Sequence, residues 1–218
     1  MYPRGRVEVI VPRRTRAIDV ERFVIENRDW IDKARASFAS RHEAASDALP
    51  TRIDLPAIGK SVRVQYLRDA NGSGNREKVC YRQAGTVLTL RGNTADHGLC
   101  IAAIKRWLAD VARQEFAAQL LALSRMTGNA FESMHIRAQR TCWGSHSSSG
   151  TISLNLCLLF LRPVVVRYLM LHELCHGRHM NHSKRFWKLV GQFEPDYRQL
   201  DRELTECWQE VPGWVGIY

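Results

Sequence analysis

Paired cysteines are missing from this chain. Its six thiols, Cys80, Cys100, Cys142, Cys157, Cys175 and Cys207, form no CxxC pair and no regular framework. Cys157 and Cys175 sit inside apolar runs, where a free thiol behaves as a small hydrophobe. A disulfide-stapled scaffold is therefore not expected, and a reducing, cytoplasmic setting is the economical reading. An uninterrupted apolar span is missing too. The most apolar stretch, ISLNLCLLFLRPVVVRYLML over 152–171, is broken by Asn155, Arg162, Pro163 and Arg167, so no membrane partner is expected. The opening MYPRGRVEVIVPRR lacks the apolar core of roughly 7–15 residues and the cleavage site of a secretory signal. There is no repeat, no low-complexity segment and no GxxxxGK[ST] loop to cradle phosphates. Nor does any run interleave basic residues with aromatics as a nucleic-acid-binding strand would.

What is present is ordinary in bulk. The 218 residues suffice for one large domain or two small ones with a real core. A hydrophobic content of 45% and a charged content of 25% are those of a globular protein. Lys and Arg number 32 against 22 Asp and Glu, a formal charge of +10. Such an excess either solubilises the surface or attracts nucleic acid or nucleotides. The basic residues are scattered rather than blocked together, which favours the first.

Val7–Val11 alternates and ends at Pro12, a short strand. Asp19 is placed to cap a helix through VERFVIENRDWIDKARASFA, and residues 40–52 are polar and turn-like. Strands are expected near Ser61–Leu67 and Val79–Arg82, joined by DANGSGNRE as a loose hairpin loop, and again at Thr86–Leu90. From about Leu99 the period becomes helical and runs to about Gly128. Strand candidates follow at 134–139 and 150–161, separated by the small polar loop WGSHSSS. Pro163 suits the first turn of a helix through VVVRYLMLHELCH. From Lys184 to about Gln209 the chain reads as helical with a break near Pro195. The expectation is an α+β fold: a β-rich amino-terminal region with one helix, 1–98, and a helical region, 99–218, that carries the chemistry taken up next, the two forming one unit.

Chemistry concentrates in LHELCHGRHMNH, 171–182, which holds four of the eight histidines. His172-Glu173-Leu174-Cys175-His176 is an HExxH. Histidines four apart lie about 40° from each other on a helix, so both imidazoles can reach one metal ion. Glu173, one residue past the first ligand, stands beside the metal, where it can take a proton from metal-bound water. A catalytic zinc requires a third protein ligand and an open position. His179 falls only about 20° from His172 on a continued helix, but three ligands on one helical face are nearly collinear, which suits a tetrahedral ion poorly. His182 would point about 80° away unless the helix ends, and Asn181 can take the left-handed conformation that ends one. HExxH-x5-H is also the metzincin spacing. Glu194, 18 residues past His176, is a further option, as in proteases with a distal glutamate ligand. His182 is favoured, with His179 and Glu194 as alternatives.

These residues carry a resemblance. HELCHGRHMNHSKRFWKLV is similar to the HELxHxxxxNHSxxFW motif of the YgjP-like metallopeptidases, which are related to the SprT and WLM zinc proteases. CWGSHSSSGTISLN, 142–155, resembles that family's RWGSCSSxGxISLNW, and RVEVIVPRR…FVIENRDWI, 6–31, its strand and helix ending in WI. The likeness implies zinc held by His172, His176 and His182, with Glu173 as acid and base. It implies a minimal zincin-like fold: a small sheet, the HExxH active-site helix and backing helices. Two departures stand out: Thr141-Cys142 where an arginine is expected, and His146 in place of the cysteine.

The function expected is zinc-dependent cleavage of a peptide or protein substrate, with Glu173 as general base. Arg140, Trp143, His146, Asn155 and Tyr168 are candidates to line the cleft; Arg140, His146 and Tyr168 are also candidates for the oxyanion. ISLN is expected to be the edge strand that pairs with an extended peptide. Phe186 and Trp187 should pack under the metal helix, and Ser183 should cap the helix after it. Two rivals are a metal-dependent nucleotide pyrophosphohydrolase and a non-enzymatic DNA-associated module using the basic surface.

Overall fold

A computed structural model describes residues 17–29, 31–32, 48–68, 78–139 and 141–215. The chain divides into two compact units, residues 1–48 with 212–218, and residues 49–211. In the first, helix α1 spans Ala17–Glu26. Asp19 lies within its first turn rather than ahead of it, and accepts a hydrogen bond from Arg22 at 3.2 Å. The strand expected at 7–11 lies outside the described residues, as do 33–47.

The second unit opens with a four-stranded sheet. Strands β1 (Arg52–Leu55) and β2 (Lys60–Arg68) form a hairpin whose turn closes at Gly59, at φ +61°. Their alternation sends Ile53, Leu55, Val62 and Val64 into the core. Strands β3 (Val79–Ala84) and β4 (Val87–Gly92) form a second hairpin around Gly85, and the order is β1-β2-β4-β3. The hairpin expected between β2 and β3 does not form: β2 runs parallel to β4 instead. The next strand, β3, therefore lies on the far side of β4 from β2, a pairing that a local reading of turn residues cannot reveal. The polar stretch expected to extend to residue 52 in fact gives way to β1 there.

Helix α2, His97–Thr127, repeats apolar residues every three or four positions, from Cys100, Ala103, Ile104, Trp107 and Leu108 through Phe116 and Leu120. The Asp96 carboxylate caps its start by accepting from Leu99 N at 2.9 Å, and Gly128 at φ +66° ends it. It is tied to the sheet by Trp107 Nε1 donating to Gln83 Oε1 at 2.8 Å, Arg106 donating to the Val79 carbonyl at 2.7 Å, and Tyr81 donating to Asp110.

A three-stranded sheet follows: β5 (Ser133–Arg137), β6 (Gly144–His146) and β7 (Thr151–Asn155), in the order β5-β7-β6. Two expectations change here. WGSHSSS is not merely a loop, since β6 lies within it. ISLN, in β7, is the central strand and not an edge, parallel to β5 and antiparallel to β6. Its four consecutive buried residues, Ile152–Asn155, fit a strand covered on both faces. The run to 161 is not all strand, because Asn155 Oδ1 accepts from Cys157 N at 3.1 Å and starts a buried 3-10 turn, Leu156–Phe160.

Pro163 opens helix α3, Pro163–His176, which is buried along most of its length. Helices α4 (Lys184–Phe193) and α5 (Tyr197–Glu206) pack against it, separated at Glu194–Asp196. Ser183 caps α4, its hydroxyl accepting from Phe186 N at 3.4 Å. No helix among the described residues is long and apolar enough to cross a membrane.

Candidate metal centre

The HELCH segment closes α3, and the helix ends there. Gly177 follows in right-handed geometry, so the chain leaves the helix five residues before Asn181, the residue expected to stop it. Leaving early gives 177–183 the freedom to turn back. Among the described residues, His172, His176 and His182 form the group able to hold a metal. The Nε2 atom of His172 lies 3.0 Å from Nε2 of His182 and 3.2 Å from Nε2 of His176.

The surrounding hydrogen bonds assign the protons. His176 Nδ1–H donates to the carbonyl of His179 at 2.9 Å, so its Nε2 carries a lone pair. Tyr168 donates its hydroxyl proton to Asp201 Oδ1 at 2.7 Å and faces His172 Nδ1 at 3.4 Å. That contact is a hydrogen bond only if His172 Nδ1–H is the donor, which leaves a lone pair on His172 Nε2 as well. In those tautomers the Nε2 lone pairs of His172 and His176 lie 3.2 Å apart, an arrangement that a cation between them stabilises. A tetrahedral ion about 2.0–2.1 Å from each nitrogen requires nitrogens about 3.3–3.4 Å apart. The residues fit a zinc-like ion.

Beneath the three rings lies Phe186, fully buried, stacked on His176 at 4.4 Å between centroids and edge-on to His172 and His182 at 4.9 Å each. Trp187 stacks on His182 at 5.6 Å. Burial in this apolar seat, with the other two imidazoles adding to it, holds His172 down to about 3, and burial lowers His176. Both shifts favour the neutral imidazole, the form that ligation demands. His182 is exposed and leaves that side open.

Glu173 points away from solvent, 4% exposed, and burial alone pushes it up to about 8. Two residues of β6 hold it. His146 Nδ1–H donates to its carbonyl at 2.5 Å. Gly144 lies so close that an added Cβ would stand 2.7 Å from Glu173 Oε1 and 3.1 Å from Cδ. Gly144→Ala should therefore lower kcat about 10²-fold, the cost of an ångström-scale misplacement, while zinc content by elemental analysis stays the same. An unaltered kcat would mean that the carboxylate relaxes without harm.

The other candidates fall differently. His179 contributes its backbone carbonyl and not its ring, and Glu194 is engaged by Arg167 at 2.5 Å, outside the histidine group. Trp143 is buried against Trp208, centroids 3.9 Å apart, with Nε1–H donating to the Leu204 carbonyl at 2.9 Å. Asn155 is fully buried, donating to the carbonyls of Gln139 and Cys142 at 2.8 and 2.9 Å. Tyr168, also fully buried, stands behind His172. Burial, then the Glu173 carboxylate, pushes the Cys142 thiol up. Arg140 lies outside the described residues. Gly144 and Asp201 are the site residues that sequence reasoning missed. A glycine between Trp143 and Ser145 was a usable sign for the first. Nothing in the sequence links Asp201 to Tyr168, 33 residues away.

Two helix histidines, a third from the loop beyond and a buried glutamate beside them are the groups of a metal-dependent hydrolase. The YgjP-like metallopeptidase domain matches residues 1–207, and the chain belongs to that family. Among curated proteins none matches. Among solved structures, the metallopeptidase zymogen of Pyrococcus abyssi abylysin is similar over 42% of this chain and 94% of its own, at 25% identity and a TM-score of 0.38.

Proposed function

We propose that this protein is a zinc-dependent peptidase in which His172, His176 and His182 hold the ion through Nε2 and Glu173 is the general base. The observation that carries this reading is the convergence of three histidine ring nitrogens beside a buried carboxylate. When bound, the ion polarises the scissile carbonyl and acidifies the attacking water towards a pKa of about 7. Glu173 takes the proton from that water on a carboxylate oxygen and returns it to the leaving amide nitrogen. Gly144 leaves room for the carboxylate, and Phe186 keeps the seat of the imidazoles dry. The Tyr168 hydroxyl, hydrogen-bonded to Asp201, fixes the ring of His172.

Strand β6 supports a peptide as substrate. Trp143 O and Ser147 N bond to β7, so the alternating backbone groups of Gly144 and His146 face the other edge. An extended peptide added there would run beside Glu173.

The test is product analysis. Incubation with an unfolded protein should yield new amino termini by mass spectrometry, a chelator should abolish them, and added zinc should restore them. Pyrophosphate released from a nucleoside triphosphate, with no new termini, would replace this reading by the phosphoanhydride one.

A further inference from the structure

Beside the histidines, helices α4 and α5 enclose a groove of about 770 Å³. Lys184 and Lys188 line it one turn apart on α4, and Arg198 and Arg202 one turn apart on α5. Among the described residues none of these four cations has a carboxylate partner; the ion pairs there join other residues. Asp201 is the one acid on the wall, and it accepts from Tyr168. Like charges held together without a partner raise the free energy of the bare groove, and an anion relieves that cost.

The floor says which anion. Trp187 stacks on Tyr197 at 5.3 Å and on His182 at 5.6 Å, and the Arg198 guanidinium lies 5.4 Å over the Tyr197 ring. The rings are engaged with one another rather than offered to nucleobases, which removes the stacking platform that single-stranded nucleic acid uses. Cations without an open aromatic face suit carboxylates. The stack also joins the groove directly to a metal ligand, so an occupant would lie next to the reacting bond.

We infer that the groove between α4 and α5 binds an acidic stretch of the peptide substrate flanking the scissile bond. This rests on the peptidase reading above, and the experiment separates the two. Labelled peptides share one fixed unstructured central sequence, with three glutamates or three glutamines on either flank. Their binding to the Glu173→Gln protein, measured by fluorescence anisotropy, should favour glutamate on one flank about tenfold at low salt and lose that preference as salt rises. Lys188→Gln combined with Arg202→Gln should bring the ratio to about twofold or less. Equal affinities on both flanks, or a preference that survives high salt or the double substitution, overturns the inference. Tighter binding of a single-stranded oligonucleotide of equal charge also overturns it and makes the groove a nucleic-acid surface. Cleavage by the native protein is read separately: its absence sinks the peptidase reading and leaves the anisotropy result standing.

Discussion

Glu173→Gln should lower kcat on a peptide substrate by about 10²–10⁴-fold, the range that a positioned acid–base group contributes. Zinc content, by elemental analysis, should not fall, because the three imidazoles are untouched. The amide has the shape of the carboxylate, so it fits the space that Gly144 leaves. Burial opposes the charge of Glu173 and no charged partner offsets that opposition, so the neutral amide should hold the fold at least as well. Thermal unfolding measured beside kcat distinguishes a lost proton acceptor from a lost structure. Hydrolysis that persists at the native rate would show that another group takes the proton.

The second large effect is expected from His182→Ala. Removing one of three ligands should weaken zinc binding at least about 100-fold, more than the roughly 10–100-fold seen when only an outer hydrogen-bonding partner is lost. A chromophoric chelator in competition measures it, and activity should fall in parallel at limiting zinc. His179→Ala is the informative comparison. His179 enters the site through its carbonyl, which accepts from His176 Nδ1, and alanine keeps that carbonyl. Zinc affinity should then change by less than a few-fold. If His179→Ala weakened binding more than His182→Ala, the ligand assignment would be reversed.

Much of the helical half was legible in the sequence because it follows local rules. α2 shows its period and ends at Gly128; α3 begins at Pro163 and carries HELCH to its end. Serine caps α4 where expected. The sheets were read strand by strand but not as sheets. Nothing near 69–77 tells that β2 will pair with β4, since parallel pairing joins residues far apart in sequence. Strand β6 hid in WGSHSSS because glycine and serine are poor strand formers, and only its neighbour β7 makes it a strand. In the site, HExxH spacing exposed the residues on the helix. The positions that hold Glu173 and His172, Gly144 and Asp201, come from other elements and bear no spacing that announces them.

Strand β6 is only three residues long, yet it touches Glu173 through both Gly144 and His146. A slip of one residue along β7 would turn its faces over and present Ser145 to the carboxylate, with a side chain where there is room for none. The anchors at either end therefore govern chemistry they never touch. Trp143, clamped on Trp208 and tied to Leu204, holds one end; the Asn155 amide, gripping the carbonyls of Gln139 and Cys142, fastens the partner strand to the approach. The placing of the Glu173 carboxylate is in part a matter of preventing slippage, and its guardians are a tryptophan pair and a buried amide.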